Sequence, residues 1–279
     1  MRSKEFHSSV ATVGLILLGA LSGHGQEAGG VDPYWPGLDS PKLITPQWIG
    51  EEGVEAAILL SIDDMRDPAK YESFCRPILN RLKEIDGRAP FTIFTNVVDP
   101  MAPQLQSWLK EGLSIEVHTI SHPCPLLDKG DFAQAKKTVH DCIDLLAGIP
   151  GMKPIAYRMP CCDSMNTVSP RFYSEIFNVP TESGNFLQID SSVFNLMTPD
   201  DAELPADLIG EGAGRFANYV PKLRGFVNYI ENYPYPYIIG GSCWQLPCVV
   251  PSDWEAQDRQ GVNNPDTVAD MKAAIDATV

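Results

Sequence analysis

The sequence predicts a parallel α/β fold, on three observations. Strand-like apolar runs recur from residue 56 onward, helix-period segments lie between most of them, and polar residues close several of the runs. The runs span 56–62 (AAILLSI), 91–98 (FTIFTNVV), 113–118 (LSIEVH), 154–158 (PIAYR), 186–190 (FLQID) and 236–241 (PYIIGG). This pattern alone leaves a barrel and an open doubly wound sheet both standing. No internal repeat is visible.

From the start of the chain, Arg2 and Lys4 precede the apolar run VATVGLILLGALSG and then small residues. That order predicts a secretory signal peptide over residues 1–25, with an uncleaved membrane anchor as the alternative. The mature chain is then secreted or periplasmic. No later stretch approaches the ~20 apolar residues of a membrane span, so no membrane association is expected after cleavage. Residues 26–54 are rich in Pro and Gly and read as an extended lead-in. Residues 55–279 fit one large domain.

Residues 68–85 are expected to form the first helix, with Tyr71, Phe74, Ile78, Leu82 and Ile85 on its apolar face and Pro77 as a kink. A second helix over 131–149 opens at an Asp N-cap and carries Phe132, Ala135, Val139, Ile143 and Leu146. A third starts at Ser169-Pro170. Residues 265–279 predict a last helix, capped by Asn264, with Val268, Met271, Ile275 and Val279 as its stripe.

Charge excludes one class of partner. The chain carries -15, and residues 1–25 hold a net +1 from Arg2, Lys4 and Glu5, so the remainder carries -16. Such a surface repels phosphate backbones, and no nucleic-acid binding is expected. Seven cysteines follow residue 25, an odd number that leaves at least one unpaired. No C-x2-C pair supports a zinc ribbon.

Histidine is scarce: only His118, His122 and His140 follow residue 25. Two of them sit four apart in EVHTISHP. If that stretch stayed extended, the pair would stand about 13 Å apart, too far to share one ion bound at about 2.1 Å. Shared ligation therefore needs the chain to turn as it leaves the strand. Thr119 follows His118, so this is not the zincin motif, which needs Glu there.

Asp63 and Asp64 close the first run. Two His and one carboxylate around zinc leave a position open for water, whose pKa then falls toward neutrality. Adjacent strand-end residues point in different directions, so one Asp can bind metal while the other accepts a proton. Arg158, closing the fourth run, can hold that base ionised and oriented.

SIDD (61–64), HTISH (118–122) and YRMP (157–160) together resemble the polysaccharide deacetylase family, over roughly residues 55–260. The resemblance implies a distorted (β/α) barrel and a divalent metal, zinc foremost. It also implies removal of N- or O-acetyl groups from a carbohydrate. Asp63 would be the catalytic base, with Asp64, His118 and His122 as metal ligands. Arg158 would position Asp63, the backbone N–H of Cys161 would help hold the oxyanion, and Trp244 would wall the acetyl pocket.

The chain departs from the family at Ile62, where Phe is commoner, and at Cys161, where an aromatic residue is usual. The family's closing Leu-x-His has no counterpart, since no histidine follows His140. The sequence is therefore expected to be a piece that stops before the closing strand, with its first strand at an unpaired edge. The alternatives are a non-catalytic carbohydrate-binding relative and an amidase acting on non-sugar C–N bonds. Non-haem iron fits the two His and one carboxylate but leaves the second Asp and Arg158 unused. A glycosidase is disfavoured because adjacent Asp63 and Asp64 cannot flank a sugar.

Overall fold

The computed structural model describes residue 54 and residues 56–279, apart from 168, 213, 224 and 240–242. The expected signal peptide and nearly all of the lead-in lie outside the described residues. The strands are β1 (Ser61–Met65), β2 (Thr92–Thr95), β3 (Ser114–Val117), β4 (Ala156–Tyr157), β5 (Ile189–Asp190), β6 (Phe194–Leu196), β7 (Tyr229–Glu231), β8 (Tyr237–Ile239), β9 (Cys243–Gln245) and β10 (Cys248–Val249).

The larger sheet runs β1-β2-β3-β4-β5-β9-β8, parallel except for the antiparallel β8–β9 pair. The smaller sheet, β10-β6-β7, is parallel throughout. Parallel neighbours need crossover connections. Helices α1 (Pro68–Asp86), α2 (Pro103–Glu111) and α3 (Phe132–Ala147) supply the first three. The α/β class is as the sequence predicts. The larger sheet does not close on itself: among the described residues β1 pairs only with β2.

Three local expectations need correction. The first strand begins at Ser61, five residues later than its apolar run, and Ile58 and Leu59 are more than half exposed. Its parallel partner β2 starts only at Thr92, directly opposite Ser61, so residues 56–59 have no ladder to join.

The buried stripe of α1 is also displaced. Cys75 and Leu79 are fully buried with Tyr71 and Leu82 beside them, whereas Phe74, Ile78 and Ile85 are exposed. At 3.6 residues per turn the buried face is rotated by about 55° from the expected one. Sheet contact, rather than periodicity, selects it.

The last helix, Pro265–Thr278, has its expected cap, with Asn264 accepting from the Asp266 N–H. It buries Thr267, Ala273, Ala274 and Ala277 instead of the Val268–Val279 stripe. Small side chains let it lie close against the Asp253–Gln260 helix.

Two apolar cores result. The main one packs α1, α2 and α3 on the large sheet around Leu79, Ile93, Trp108, Ile115 and Tyr157. The second joins the small sheet to the C-terminal helices through Phe194, Phe216, Val227 and Ala274.

Glu255 lies beside this second core, 2 % exposed, capping its own helix by accepting the Ser252 N–H at 3.0 Å. Burial pushes its carboxyl up to about 7 from an ordinary value of 4.5. The folded state thus binds more protons than the unfolded state between those values. Stability from this group is full below pH ~4.5 and is lost as pH rises through ~7, about 3 kcal/mol in all. Glu255→Gln is neutral throughout. The unfolding free energy of the variant is expected to fall about 3 kcal/mol less than that of the parent between pH 4.5 and 8. Equal pH dependence by urea titration would assign the effect elsewhere.

Candidate metal centre and catalytic site

The site forms at the carboxyl ends of β1, β3 and β4, where a parallel sheet gathers functional side chains. Asp63 and Asp64 are re-aimed by a bulge. Ile62 pairs with Ile93 and Met65 with Thr95, so two residues of β1 oppose one of β2. Asp64 takes φ 63°, which separates the directions of the two carboxylates. Tyr71 on α1 donates its hydroxyl to the Asp63 carbonyl at 2.7 Å and holds the bulge from below.

The histidine pair depends on a turn that starts as soon as β3 ends. Thr119 (φ 65°) and His122 (φ 50°) are both left-handed, and the His122 N–H donates to Thr119 Oγ1 at 3.1 Å. Non-glycine residues pay roughly 1–3 kcal/mol each for such a conformation, which persists only when the surroundings enforce it. Buried Asn96 supplies that enforcement by donating to the carbonyls of both His118 and Thr119 at 2.9 Å.

The two imidazole centroids end 5.0 Å apart. Asp64 Oδ1 lies 3.2 Å from His122 Nε2 and 3.7 Å from His118 Nε2. Ligand atoms on one tetrahedral zinc stand roughly 3.3 Å apart, so the spacing fits one shared ion. Protonation fits too. His118 Nδ1 lies 2.7 Å from the Arg158 carbonyl, to which it donates as the neutral tautomer, leaving the Nε2 lone pair facing Asp64. Burial lowers the pKa of His118, against the pull of Asp63, and favours that neutral form.

Arg158 follows the two-residue strand β4. That strand is pinned by Glu116 of β3, whose buried carboxyl accepts the N–H groups of Ile155 and Ala156 at 2.9 and 2.8 Å. The guanidinium packs 4.8 Å from the Phe94 ring and approaches Asp63 at 3.4 Å. Ser61 and Ser191 accept from its other terminal nitrogen at 3.1 and 3.2 Å.

Cys161 lies in the Pro160–Cys162 turn that follows, at φ 55°, and its sulfur is bonded to Cys124. Trp244 is in β9, three strands across the sheet from β3, or about 14 Å at ~4.8 Å per strand. Asp63, Asp64, His118, His122 and Arg158 are thus brought together, Cys161 borders them, and Trp244 stands three strands along the sheet from β3.

Asn96, Tyr71, Glu116, Ser61 and Ser191 were not legible as site residues. Each acts through a backbone group or another side chain, and none belongs to a metal-type spacing.

Comparison with known proteins adds a family. The polysaccharide deacetylase model matches residues 50–171. Over this stretch the chain is similar to that family. Over 106 residues the chain is 32 % identical to the peptidoglycan-N-acetylmuramic acid deacetylase PdaC of Bacillus subtilis (strain 168). That alignment covers 38 % of this chain and 21 % of the relative, so the chain matches about a fifth of the relative's length. Among solved structures, a family 4 carbohydrate esterase from Streptomyces lividans is 16 % identical with a TM-score of 0.35, covering 64 % of this chain and 81 % of that one. The polysaccharide deacetylase Bc1974 of Bacillus cereus is 16 % identical with a TM-score of 0.36, covering 78 % and 85 %.

Proposed function

We propose that this chain is a metal-dependent hydrolase of the polysaccharide deacetylase family that removes N- or O-acetyl groups from a carbohydrate. The observation that carries the reading is the convergence of Asp64, His118 and His122 next to a second carboxylate, Asp63, faced by Arg158. The donor set favours Zn2+ among divalent ions, being two neutral imidazoles and one carboxylate. A cation bound there supplies Lewis acidity and lowers the pKa of water.

The chain's own groups do the rest. Asp63 takes the proton of the attacking water, and Arg158 fixes the direction of its carboxylate. The backbone N–H of Cys161 holds the oxyanion that develops on the acetyl carbonyl. Trp244, in β9, walls the acetyl pocket. The N-terminal charge and apolar pattern assigns the mature protein to the exterior or periplasm. No described helix is long and apolar enough to cross a membrane.

Metal analysis combined with acetate release from chitin, peptidoglycan and acetylxylan fragments tests the reading. Chelated protein is expected to be inactive and to recover with Zn2+. His122→Ala is expected to lose metal and activity together. Acetate release by metal-free protein would overturn the proposal. Saccharide binding without turnover in the metal-loaded parent would favour a non-catalytic binding relative.

A further inference from the structure

The disulfide Cys124–Cys161 joins the histidine turn to the turn after β4, at a Cα–Cα distance of 6.2 Å. Both cysteines are exposed, and a ligand atom of His122 and the two sulfurs all lie within 4.8 Å of one another. Nothing in the hydrolytic reading uses these sulfurs. His122 is common to two clusters of ligand atoms, one with Asp64 and His118 and one with Cys124 and Cys161.

We propose that Cys124, Cys161 and His122 form a second, redox-gated metal site that exists only when the disulfide is reduced. Its occupant is a thiophilic cation such as Zn2+, Cd2+ or Cu+. The chemistry follows from the donors. Two thiolates and an imidazole are a softer set than two imidazoles and a carboxylate, so they prefer thiophilic metals. Two Zn–S bonds of ~2.3 Å at a tetrahedral angle place the sulfurs about 3.8 Å apart. That is well within the Cα–Cα separation, so side-chain rotation suffices.

Opening the site requires a dithiol. One of its sulfurs attacks the Cys124–Cys161 bond, and its second sulfur resolves the mixed disulfide. The dithiol leaves oxidised as its own cyclic disulfide, and its two protons end on Cys124 Sγ and Cys161 Sγ. Both protons are released to solvent when the cation binds. Exposure gives the reductant access, which the buried thiols Cys75, Cys142 and Cys243 lack. In an oxidising compartment the bond stays closed and leaves His122 to Asp64 and His118. Under reducing conditions the thiolates compete for His122.

The inference shares His122 with the function proposed above, and Co2+ as a probe separates the two. Metal-stripped protein is loaded with Co2+ alone, once oxidised and once after dithiol reduction and anaerobic desalting. Oxidised protein is expected to bind Co2+ with visible d–d bands but no sulfur-to-cobalt charge-transfer band in the near ultraviolet. Failure of oxidised protein to bind Co2+ would count against the hydrolytic site, not against this one. Reduced protein is expected to gain the charge-transfer band. Cys124→Ser and Cys161→Ser should lose it, and Cys162→Ser should keep it. Alkylating the exposed thiols of reduced parent protein should also remove the band, without relying on variants that must fold. Absence of the band in reduced parent protein, or its persistence in Cys124→Ser or Cys161→Ser, would overturn the proposal.

Discussion

Asp63→Asn is expected to keep its metal and lose about 10²–10⁴-fold in turnover, the usual contribution of a positioned general base. The two neighbouring carboxylates are not equivalent. Asp64 Oδ1 is within 3.7 Å of both histidine Nε2 atoms, whereas Asp63 is paired with Arg158. Asn preserves the shape of Asp63 and the backbone carbonyl that Tyr71 holds, so the bulge should survive. What disappears is the proton acceptor. Asp64→Asn makes the contrast, since it weakens a ligand and should lower metal content along with activity. Metal content by elemental analysis and initial rates on an acetylated oligosaccharide decide the matter. Equal metal loss in both variants would reverse the two roles.

Leu79→Ala is expected to destabilise the protein by about 2–5 kcal/mol, while Phe74→Ser costs under about 1 kcal/mol. Both residues are in α1, five apart. Leu79 is fully buried in the main core, so truncation loses its transfer energy and leaves a cavity. Phe74 is 57 % exposed, and its contacts are an edge-to-face approach to Tyr71 and the ammonium of Lys70. Urea unfolding of the two variants at one pH measures both effects. A larger loss for Phe74→Ser would restore the apolar face that periodicity suggested.

Periodicity and the buried face of α1 differ for a specific reason. Tyr71, Phe74, Ile78, Leu82 and Ile85 satisfy helical spacing as well as Tyr71, Cys75, Leu79 and Leu82 do. The choice depends on which side the sheet occupies, and spacing along one segment carries no such information. The last helix repeats the lesson. Its alanines bury because neighbouring helices come close, while Val268 and Val279 are exposed and Met271 and Ile275 are half-buried. The first strand was misplaced for a related reason, since a strand extends only as far as its partner.

The candidate site was legible where its chemistry needs particular side chains. Asp63-Asp64, His118-x3-His122 and Arg158 stand out because few residue types bind a metal or hold a base, and strand ends give them a common face. By itself, the sequence therefore determined the α/β class, the order of strands and helices that carry the motifs, and the residues that gather at the candidate site. Tertiary structure decided the rest: the bulge that separates two adjacent carboxylates, the left-handed turn enforced by Asn96, and the clamp of Glu116 on β4. It also decided which two of seven cysteines pair. Each of these joins residues at least 20 positions apart, through backbone groups, packing or the disulfide, so no local pattern records them.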